Sequence, residues 1–113
     1  MPPARGEVWY ADLNPTRDHE QAGTRPVLVV SADEFNRNAR KPTVIIPLTT
    51  GFDPGGYLVR VDPPEGGLRS PSYALCAQIR SVSANRLGRR LGRVSSATLD
   101  EVERNLEFIL GLR

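Results

Sequence analysis

The chain has 113 residues, of which 39% are hydrophobic and 25% are charged, a balance typical of a folded globular protein. This length predicts one domain, spanning residues 1–113. No apolar run is long enough to cross a bilayer and no basic leader precedes an apolar stretch, so we expect a cytoplasmic protein that binds no membrane. The single cysteine, Cys76, cannot form an intramolecular disulfide, and no Cys/His spacing indicates a metal or cofactor site.

The charge is distributed unevenly along the chain. There are 13 basic and 9 acidic residues up to Arg93, and 2 basic and 4 acidic residues beyond it. Fourteen of the fifteen cations are arginine, whose planar guanidinium can bind a phosphate through two hydrogen bonds. The window that holds Arg86, Arg89, Arg90 and Arg93 contains no acid. A nucleic-acid surface and an ordinary solvated basic loop both fit this window.

Hydrophobic periodicity and turn residues predict a series of short strands. They are expected at Val8–Leu13, Val27–Val30, Thr43–Leu48, Leu58–Val61, Ser72–Gln78 and Leu91–Val94. The fifth of these strands is expected to continue towards Val82. Residues 31–38 and 83–87 are interpreted as short helical turns, the first with Ser31 or Asp33 as its cap. Pro47 removes one backbone donor, so its end of the strand should lie at a sheet edge or a bulge.

The C-terminal stretch changes to a helical period. Thr98 and Glu101 have the spacing of a capping box, and one helical face is expected to carry Leu99, Val102, Leu106, Ile109 and Leu110. The expected fold is therefore mainly β (α+β), an antiparallel sheet covered by one C-terminal helix. Cys76 lies in an apolar alternating run and is expected in the core rather than as a nucleophile.

A polar loop separates the first two predicted strands. It displays an imidazole, a carboxylate, an amide, a hydroxyl and a guanidinium, from His19, Glu20, Gln21, Thr24 and Arg25. Such side chains beside a rigid strand are typical of a binding or catalytic site. An ordinary polar hairpin loop is the alternative that these residue types leave open.

Several motifs together carry a family resemblance. In chain order they are RGEVWYADLNP, HEQAGTRPVLVV, PTVIIPLTT and SYALCAQIRSV, followed by NRL. Over nearly the whole chain they resemble the MazF/PemK/Kid toxins of type II toxin–antitoxin systems. The resemblance implies an SH3-like barrel of the CcdB/PemK type, a homodimer, and an antitoxin partner with a flexible acidic segment. It also implies cleavage of single-stranded RNA, without a metal or cofactor, to 2′,3′-cyclic phosphate and 5′-hydroxyl ends.

A second reading follows from the shared fold. The CcdB gyrase poisons share the fold that the resemblance implies, but they do not cleave RNA. A non-catalytic gyrase-binding toxin is therefore the alternative function. The H-E-Q-x-G-T-R-P loop favours the ribonuclease.

Metal-free RNA cleavage needs a proton acceptor for the 2′-hydroxyl, a stabiliser of charge on phosphorus, and a proton donor for the departing 5′-oxygen. Arg25 suits charge stabilisation, and the resemblance implies that it also transfers a proton. His19 titrates near neutrality and is the natural base, with Glu20 in reserve. The resemblance further implies that a threonine at the end of the third strand binds the scissile phosphate. Thr49 and Thr50 both fit, and the PLT motif favours Thr49.

Two positions depart from the Kid branch of the family. That branch carries an aspartate just before the glutamine that corresponds to Gln78, and an arginine two residues before the aspartate. Here Ala77 and Leu75 stand there, so a His/Asp/Arg arrangement of that kind cannot operate. Arg80 either contacts phosphate or braces the loop. The expected RNA-binding set comprises Asn14, Thr16, Arg17, Gln21, Thr24, Gln78, Arg80 and Arg86.

Overall fold

The computed structural model describes residues 2–14, 23–38, 42–51 and 56–112. Across these residues the strands are β1 (Glu7–Asp12), β2 (Thr24–Val29), β3 (Thr43–Thr49), β4 (Leu58–Val61), β5 (Ser72–Leu75), β6 (Arg80–Val82) and β7 (Leu87–Arg93). The helices are α1 (Asp33–Asn36) and α2 (Ser96–Ile109), and 3₁₀ turns lie at Glu65–Gly67, Cys76–Gln78 and Ala84–Arg86.

The strands form a single sheet in which every pairing is antiparallel. The strand order is β4-β5-β3-β2-β1-β7, and β6 pairs with β3. The predicted class, a mainly antiparallel β fold with a C-terminal helix, is thus confirmed. Among the described residues the sheet is an open path with β4 and β7 at its ends, rather than a closed ring of strands.

β3 lies inside the sheet and changes partner along its length. On one side it pairs with β6 as far as Ile45 and with β5 from Leu48 onward, so Pro47 falls between these two partners. The carbonyl of Val44 accepts from the N–H of Val30 on the β2 side. By alternation, the missing N–H of Pro47 faces the opposite side, at the gap. Of the two predicted alternatives, a sheet edge or a bulge, the edge is wrong, because the proline lies inside the sheet at an interruption in the ladder.

The predicted strand Ser72–Gln78 breaks at the same gap. β5 ends at Leu75, a 3₁₀ turn follows, and β6 begins at Arg80. Cys76, the first residue of that turn, is fully buried as predicted. Burial raises the pKa of its thiol to about 11, which keeps the sulfur protonated and unreactive at neutral pH.

Two other strands begin earlier than the sequence pattern predicts. β2 begins at Thr24 rather than Val27, and β7 begins at Leu87 rather than Leu91. β2 starts with Thr24, Arg25 and Pro26, and β7 starts with one leucine followed by glycine and two arginines, so neither start has the apolar alternation that predicts a strand. Backbone pairing with β1 extends both strands.

The predicted cap of α1 is also wrong. The residue at the N-cap is Ala32, which has no capping side chain. The Ser31 hydroxyl instead bonds to Oδ1 of Asn36, and Asp33, the first residue of the helix, accepts a hydrogen bond from the N–H of Arg5 at 2.6 Å.

Apolar clusters lie on both faces of the sheet, because successive residues of each strand alternate between them. The larger includes Val8, Leu28, Ile46, Leu48 and Val102, and Leu99, Leu106 and Ile109 of α2 pack against it. The predicted helix face is thus confirmed except for Leu110, which is exposed. The smaller cluster comprises Ala11, Leu13, Val27, Val29, Ile45 and Val82. In the described part of the chain neither helix has the length and apolarity to span a membrane.

The N-cap of α2 lies three residues before Thr98, the N-cap that the predicted capping box implies. Ser95 is the cap, and its Oγ accepts from the N–H of Thr98 at 3.2 Å. The predicted Thr98/Glu101 box is therefore wrong, since Thr98 lies inside the first turn and its hydroxyl donates to Glu65. The Glu65 carboxylate also accepts from the N–H of Ser95 at 2.9 Å, which places a negative charge at the helix N-terminus.

The Glu65–Gly67 turn packs directly on the backbone of β7. Gly66 and Gly67 have φ of 70° and 67°. A Cβ on Gly67 would lie 2.0 Å from the carbonyl oxygen of Leu91, and a Cβ on Gly92 would lie 2.6 Å from the nitrogen of Gly67. Glycine is therefore required on both sides of this contact.

Glu7 is a buried carboxylate at the start of β1. It accepts hydrogen bonds from the N–H of Ala4 at 2.7 Å, from Nε1 of Trp9 at 3.1 Å and from Nε of Arg90 at 2.6 Å. Burial alone raises the pKa of Glu7, but these bonds and the charge of Arg90 outweigh it and hold the pKa below its ordinary value of 4.5. The folded state therefore favours the ionised carboxylate.

We expect Glu7 to make folding stability depend on pH in the acidic range. Its contribution is present above the ordinary pKa of 4.5 and is lost as the pH falls through the lower pKa of the folded state. Glu7→Gln should therefore be less stable than the wild type near neutral pH, and the difference should shrink as the pH falls below 4.5. Urea unfolding across this range measures the difference. A difference that does not change with pH would contradict the argument.

Candidate active site

Hydrogen bonds join the described residues on either side of 15–22. The N–H of Leu13 donates to the carbonyl of Gly23 at 3.1 Å, and the N–H of Gly23 donates to Oδ1 of Asn14 at 3.1 Å. Nη1 of Arg86 also donates to the carbonyl of Asn14. Arg86, a predicted RNA-binding residue at the end of the Ala84–Arg86 turn, thus holds the chain at Asn14.

The predicted site residues divide into two groups. Outside the described residues lie Thr16, Arg17, His19, Glu20 and Gln21. Within them lie Asn14, Thr24, Arg25, Thr49, Thr50, Gln78, Arg80 and Arg86. The geometry of the site is therefore built from the strand residues and from the turns next to them.

Arg25 and Thr49 lie at neighbouring ends of β2 and β3. β2 pairs with β3 from Val29 opposite Ile45 to Val27 opposite Pro47, where the pairing ends. Continued for two residues beyond that last pair, the same register sets Arg25 opposite Thr49. Residues two apart in a strand share a face, so both side chains project on the face of Val27. Cβ atoms of opposed residues in a regular ladder lie about 4.5–5.5 Å apart. A guanidinium and a hydroxyl at these positions can contact the same phosphate.

The row of opposed residues that begins with Arg25 and Thr49 continues across β5 and β4. Thr49 is opposite Tyr73 of β5, and Tyr73 is opposite Arg60 of β4. Nη1 of Arg60 donates to the Tyr73 phenol oxygen at 3.1 Å. A hydrogen bond to Asp62 at 2.8 Å fixes this guanidinium and raises its pKa. Sequence reasoning missed Tyr73 and Arg60, because only the strand register brings them into line with Arg25.

Thr49 and Thr50 differ in where they face. The Thr49 hydroxyl accepts from the N–H of Gly51 at 3.1 Å, which leaves its own hydrogen to donate to an anion. Thr50 is exposed and lines a cleft together with Pro26. Because Pro26 follows Arg25 in β2, it projects on the opposite face of the sheet. The register therefore gives Thr49, and not Thr50, the face of Arg25.

Gln78 and Arg80 lie away from this row. Arg80 is opposite Ile45, four residues from Thr49 and hence about 13 Å from it along β3. Nη1 of Arg80 is buried without a hydrogen-bond partner among the described residues, and Gln78 ends the turn before β6. The strand pairing therefore places neither Gln78 nor Arg80 in the row that contains Arg25 and Thr49.

The Arg25–Thr49 arrangement suits a phosphate ester. A guanidinium offers two parallel donors to two phosphate oxygens, and the threonine hydroxyl supplies a third donor. Within residues 2–14, 23–38, 42–51 and 56–112, no three His, Cys, Asp or Glu side chains are grouped so as to hold a metal ion. The fold and this site define a small antiparallel β protein with a guanidinium and a hydroxyl at neighbouring strand ends.

More particularly, the chain belongs to the family of PemK-like, MazF-like toxins of type II toxin–antitoxin systems, whose family model matches residues 4–110. It is 41% identical over 110 residues to the endoribonuclease PemK of Escherichia coli, covering 94% of this chain and 80% of the relative. It is 35% identical over 113 residues to the endoribonuclease MazF9 of Mycobacterium tuberculosis, covering 96% of both.

A solved structure gives the same result for the fold. An endoribonuclease in complex with its cognate antitoxin, from a mycobacterial species, matches with a TM-score of 0.80 at 30% identity, and the match covers 98% of this chain and 97% of that one. The family resemblance predicted from the sequence motifs is therefore confirmed.

Proposed function

We propose that this chain is a sequence-specific endoribonuclease toxin that cleaves single-stranded messenger RNA without a metal ion or cofactor. The observation that carries the proposal is the β2–β3 register, whose last pair is Val27 and Pro47 and which, continued by two residues, sets Arg25 opposite Thr49. The relatives PemK and MazF9, named as endoribonucleases, support the same chemistry. Messenger RNA lies in the cytoplasm, which we propose as the compartment of action.

The proposed reaction is a transesterification within the RNA. The 2′-oxygen attacks the adjacent phosphorus and loses its proton to a base. The bond from phosphorus to the 5′-oxygen breaks, and that oxygen takes up a proton, for which Arg25 is the proposed donor. Arg25 binds the phosphate oxygens as negative charge develops on them, and the Thr49 hydroxyl donates to the same group. A protonated guanidinium is a poor base, so the base comes from the loop, as His19 or Glu20.

The flanking nucleotides are proposed to contact the remaining predicted residues, among them Asn14, Thr24, Gln78 and Arg80. Thr24 is exposed at the start of β2, where a hydroxyl can reach a phosphate beside the one on Arg25. Arg86 already donates to the carbonyl of Asn14. Its proposed role is therefore to hold the loop in place as well as to contact RNA.

We expect RNA cleavage to persist in excess EDTA. The proposed donors are side chains of the protein, so removal of divalent ions should leave the rate largely unchanged, and the products should carry 2′,3′-cyclic phosphate. Gel electrophoresis of a long RNA, with phosphatase and kinase treatment of the ends, measures both. Cleavage restored only by a divalent ion would refute the metal-free mechanism. Tight binding to gyrase without any cleavage would favour the CcdB-type alternative.

We also propose that the chain forms a homodimer and binds a cognate antitoxin through a flexible acidic segment. A chain of 113 residues has little surface to grip several nucleotides, and a groove shared by two copies enlarges it. The basic excess up to Arg93 attracts an acidic segment, which would then occupy the RNA groove.

The antitoxin segment and RNA should therefore compete. Both ligands use the same cations, so the affinity of each should fall as salt rises. Measurement of the mass in solution, followed by titration of RNA against an acidic antitoxin peptide, tests the two parts. A monomer at micromolar concentration contradicts the shared groove, and simultaneous binding of both ligands contradicts occlusion.

A further inference from the structure

A cleft of about 430 Å³ lies on the sheet face opposite Arg25 and Thr49. Pro26 and Thr50 line it, and each is the next residue in the chain after one of the two site residues. Tyr10, which pairs with Pro26 across β1 and β2, also lines the cleft. The cleft therefore begins one residue along the chain from each of the two site residues, on the other face of the sheet.

The cleft is basic. Arg69, Arg89 and Arg90 line it, and no carboxylate does so among the described residues. Arg90 is bound to Glu7, whereas Arg69 and Arg89 are exposed and form no ion pair with any described residue. Two cations are thus left for an anionic ligand.

Arg89 is held in place by an aromatic ring. Its Cζ lies 5.5 Å from the ring centroid of Tyr10, a cation–π distance. This contact orients the guanidinium over the cleft. The hydroxyls of Thr50, Ser70 and Ser72 also line the cleft, and hydroxyls can both donate to phosphate oxygens and accept from a ribose 2′-hydroxyl.

We propose that this cleft binds the RNA segment next to the scissile phosphate, with Arg69 and Arg89 on its phosphodiesters. The proposal rests on the endoribonuclease function and extends the substrate path around the ends of β2 and β3. Grooves for single-stranded nucleic acid combine positive charge with planar groups on which bases stack, as Tyr10 and Arg89 do here. An acidic peptide would use the cations, but it would gain less from the hydroxyls and from continuity with the reactive phosphate.

The double variant Arg69→Gln/Arg89→Gln tests the proposal. The probe is a single-stranded RNA, made uncleavable by a 2′-deoxy sugar at the mapped cleavage site if the wild type cleaves it and used unmodified if it does not. Its Kd is measured by fluorescence anisotropy at several salt concentrations. We expect Kd to rise about ten-fold or more at low salt, and the slope of log K against log salt to decrease by about 1.4, or about 0.7 for each lost phosphate contact.

The matched control is Arg37→Gln/Arg104→Gln. Both of these arginines are exposed and neither lines the cleft, so the control removes the same net charge from elsewhere on the surface. It should leave the salt slope nearly unchanged, and thermal unfolding should show that both double variants fold. In cleavage assays the cleft variant should raise KM by a larger factor than it lowers kcat.

Several results would overturn the proposal. Equal losses of RNA affinity in the two double variants would attribute the effect to overall charge. Loss of binding to a polyglutamate peptide, with RNA affinity intact, would assign the cleft to an acidic protein partner. If the wild type does not cleave RNA but its affinity for the uncleavable RNA still depends on Arg69 and Arg89, only the endoribonuclease function fails. If it cleaves and that dependence is absent, only the cleft proposal fails.

Discussion

Arg25→Lys is expected to lower kcat/KM for RNA cleavage by roughly 10²–10³-fold, the usual loss when one transition-state donor is removed. Lysine keeps the positive charge but not the planar pair of donors. It therefore cannot bind two phosphate oxygens at once, as Arg25 is proposed to do beside Thr49. Single-turnover cleavage of a defined RNA by the variant and the wild type measures the loss.

Binding should respond less than the chemical step, because charge alone supplies much of the affinity for RNA. The Kd for an uncleavable RNA separates the two effects. Arg104→Lys, an exposed substitution on α2, is the matched control and should cleave at the wild-type rate. Nearly full turnover by Arg25→Lys would reduce Arg25 to a binding residue.

Gly67→Ala is expected to destabilise the fold by about 3 kcal/mol or more, from backbone strain together with overpacking. The new Cβ would lie 2.0 Å from the carbonyl oxygen of Leu91, and this atom belongs to the backbone of β7, which cannot rotate away. The φ of 67° adds a conformational cost for any residue with a side chain. Urea unfolding at neutral pH measures the difference in the free energy of unfolding.

Two other glycines separate these costs. Gly111 has a φ of 70° and open space around it, so Gly111→Ala isolates the conformational cost, about 1 kcal/mol. Gly88 lies in β7 with its nearest neighbour, the Tyr10 carbonyl oxygen, at an ordinary 3.7 Å. Gly88→Ala should therefore be neutral or slightly stabilising. Equal losses in Gly67→Ala and Gly111→Ala would show that the turn does not pack tightly on β7.

The sequence predicts the local features of this fold well because they depend on neighbouring residues. Apolar alternation finds β4 at its observed bounds, and the helical period finds the buried face of α2 around Val102. Features that depend on distant residues are predicted poorly. Both Ser95 and Thr98 can cap a helix, and the choice between them involves Glu65, which lies 30 residues before Ser95 and bonds to both.

The candidate site follows the same division. Arg25 and Thr49 are predictable as residues beside strands, and a family motif draws attention to them. Their opposition across β2 and β3 is a matter of register, which a hydrophobic pattern fixes only within buried strands. Tyr73 and Arg60 join the row for the same reason, without a motif of their own. Arg86 was predicted to contact RNA, but its position beside the carbonyl of Asn14 depends on the fold.

The glycine contact between the Glu65–Gly67 turn and β7 also has a consequence for ligand selection. Arg69 comes two residues after Gly67, on the side of the turn, and Arg89 comes two residues before Leu91, in β7. The two arginines are therefore attached to the two backbones that meet at this contact. Because two backbones meet there without intervening side chains, the contact holds the backbone positions of Arg69 and Arg89 at one separation. In the RNA complex proposed above, the cleft would therefore favour strands whose phosphates match that spacing.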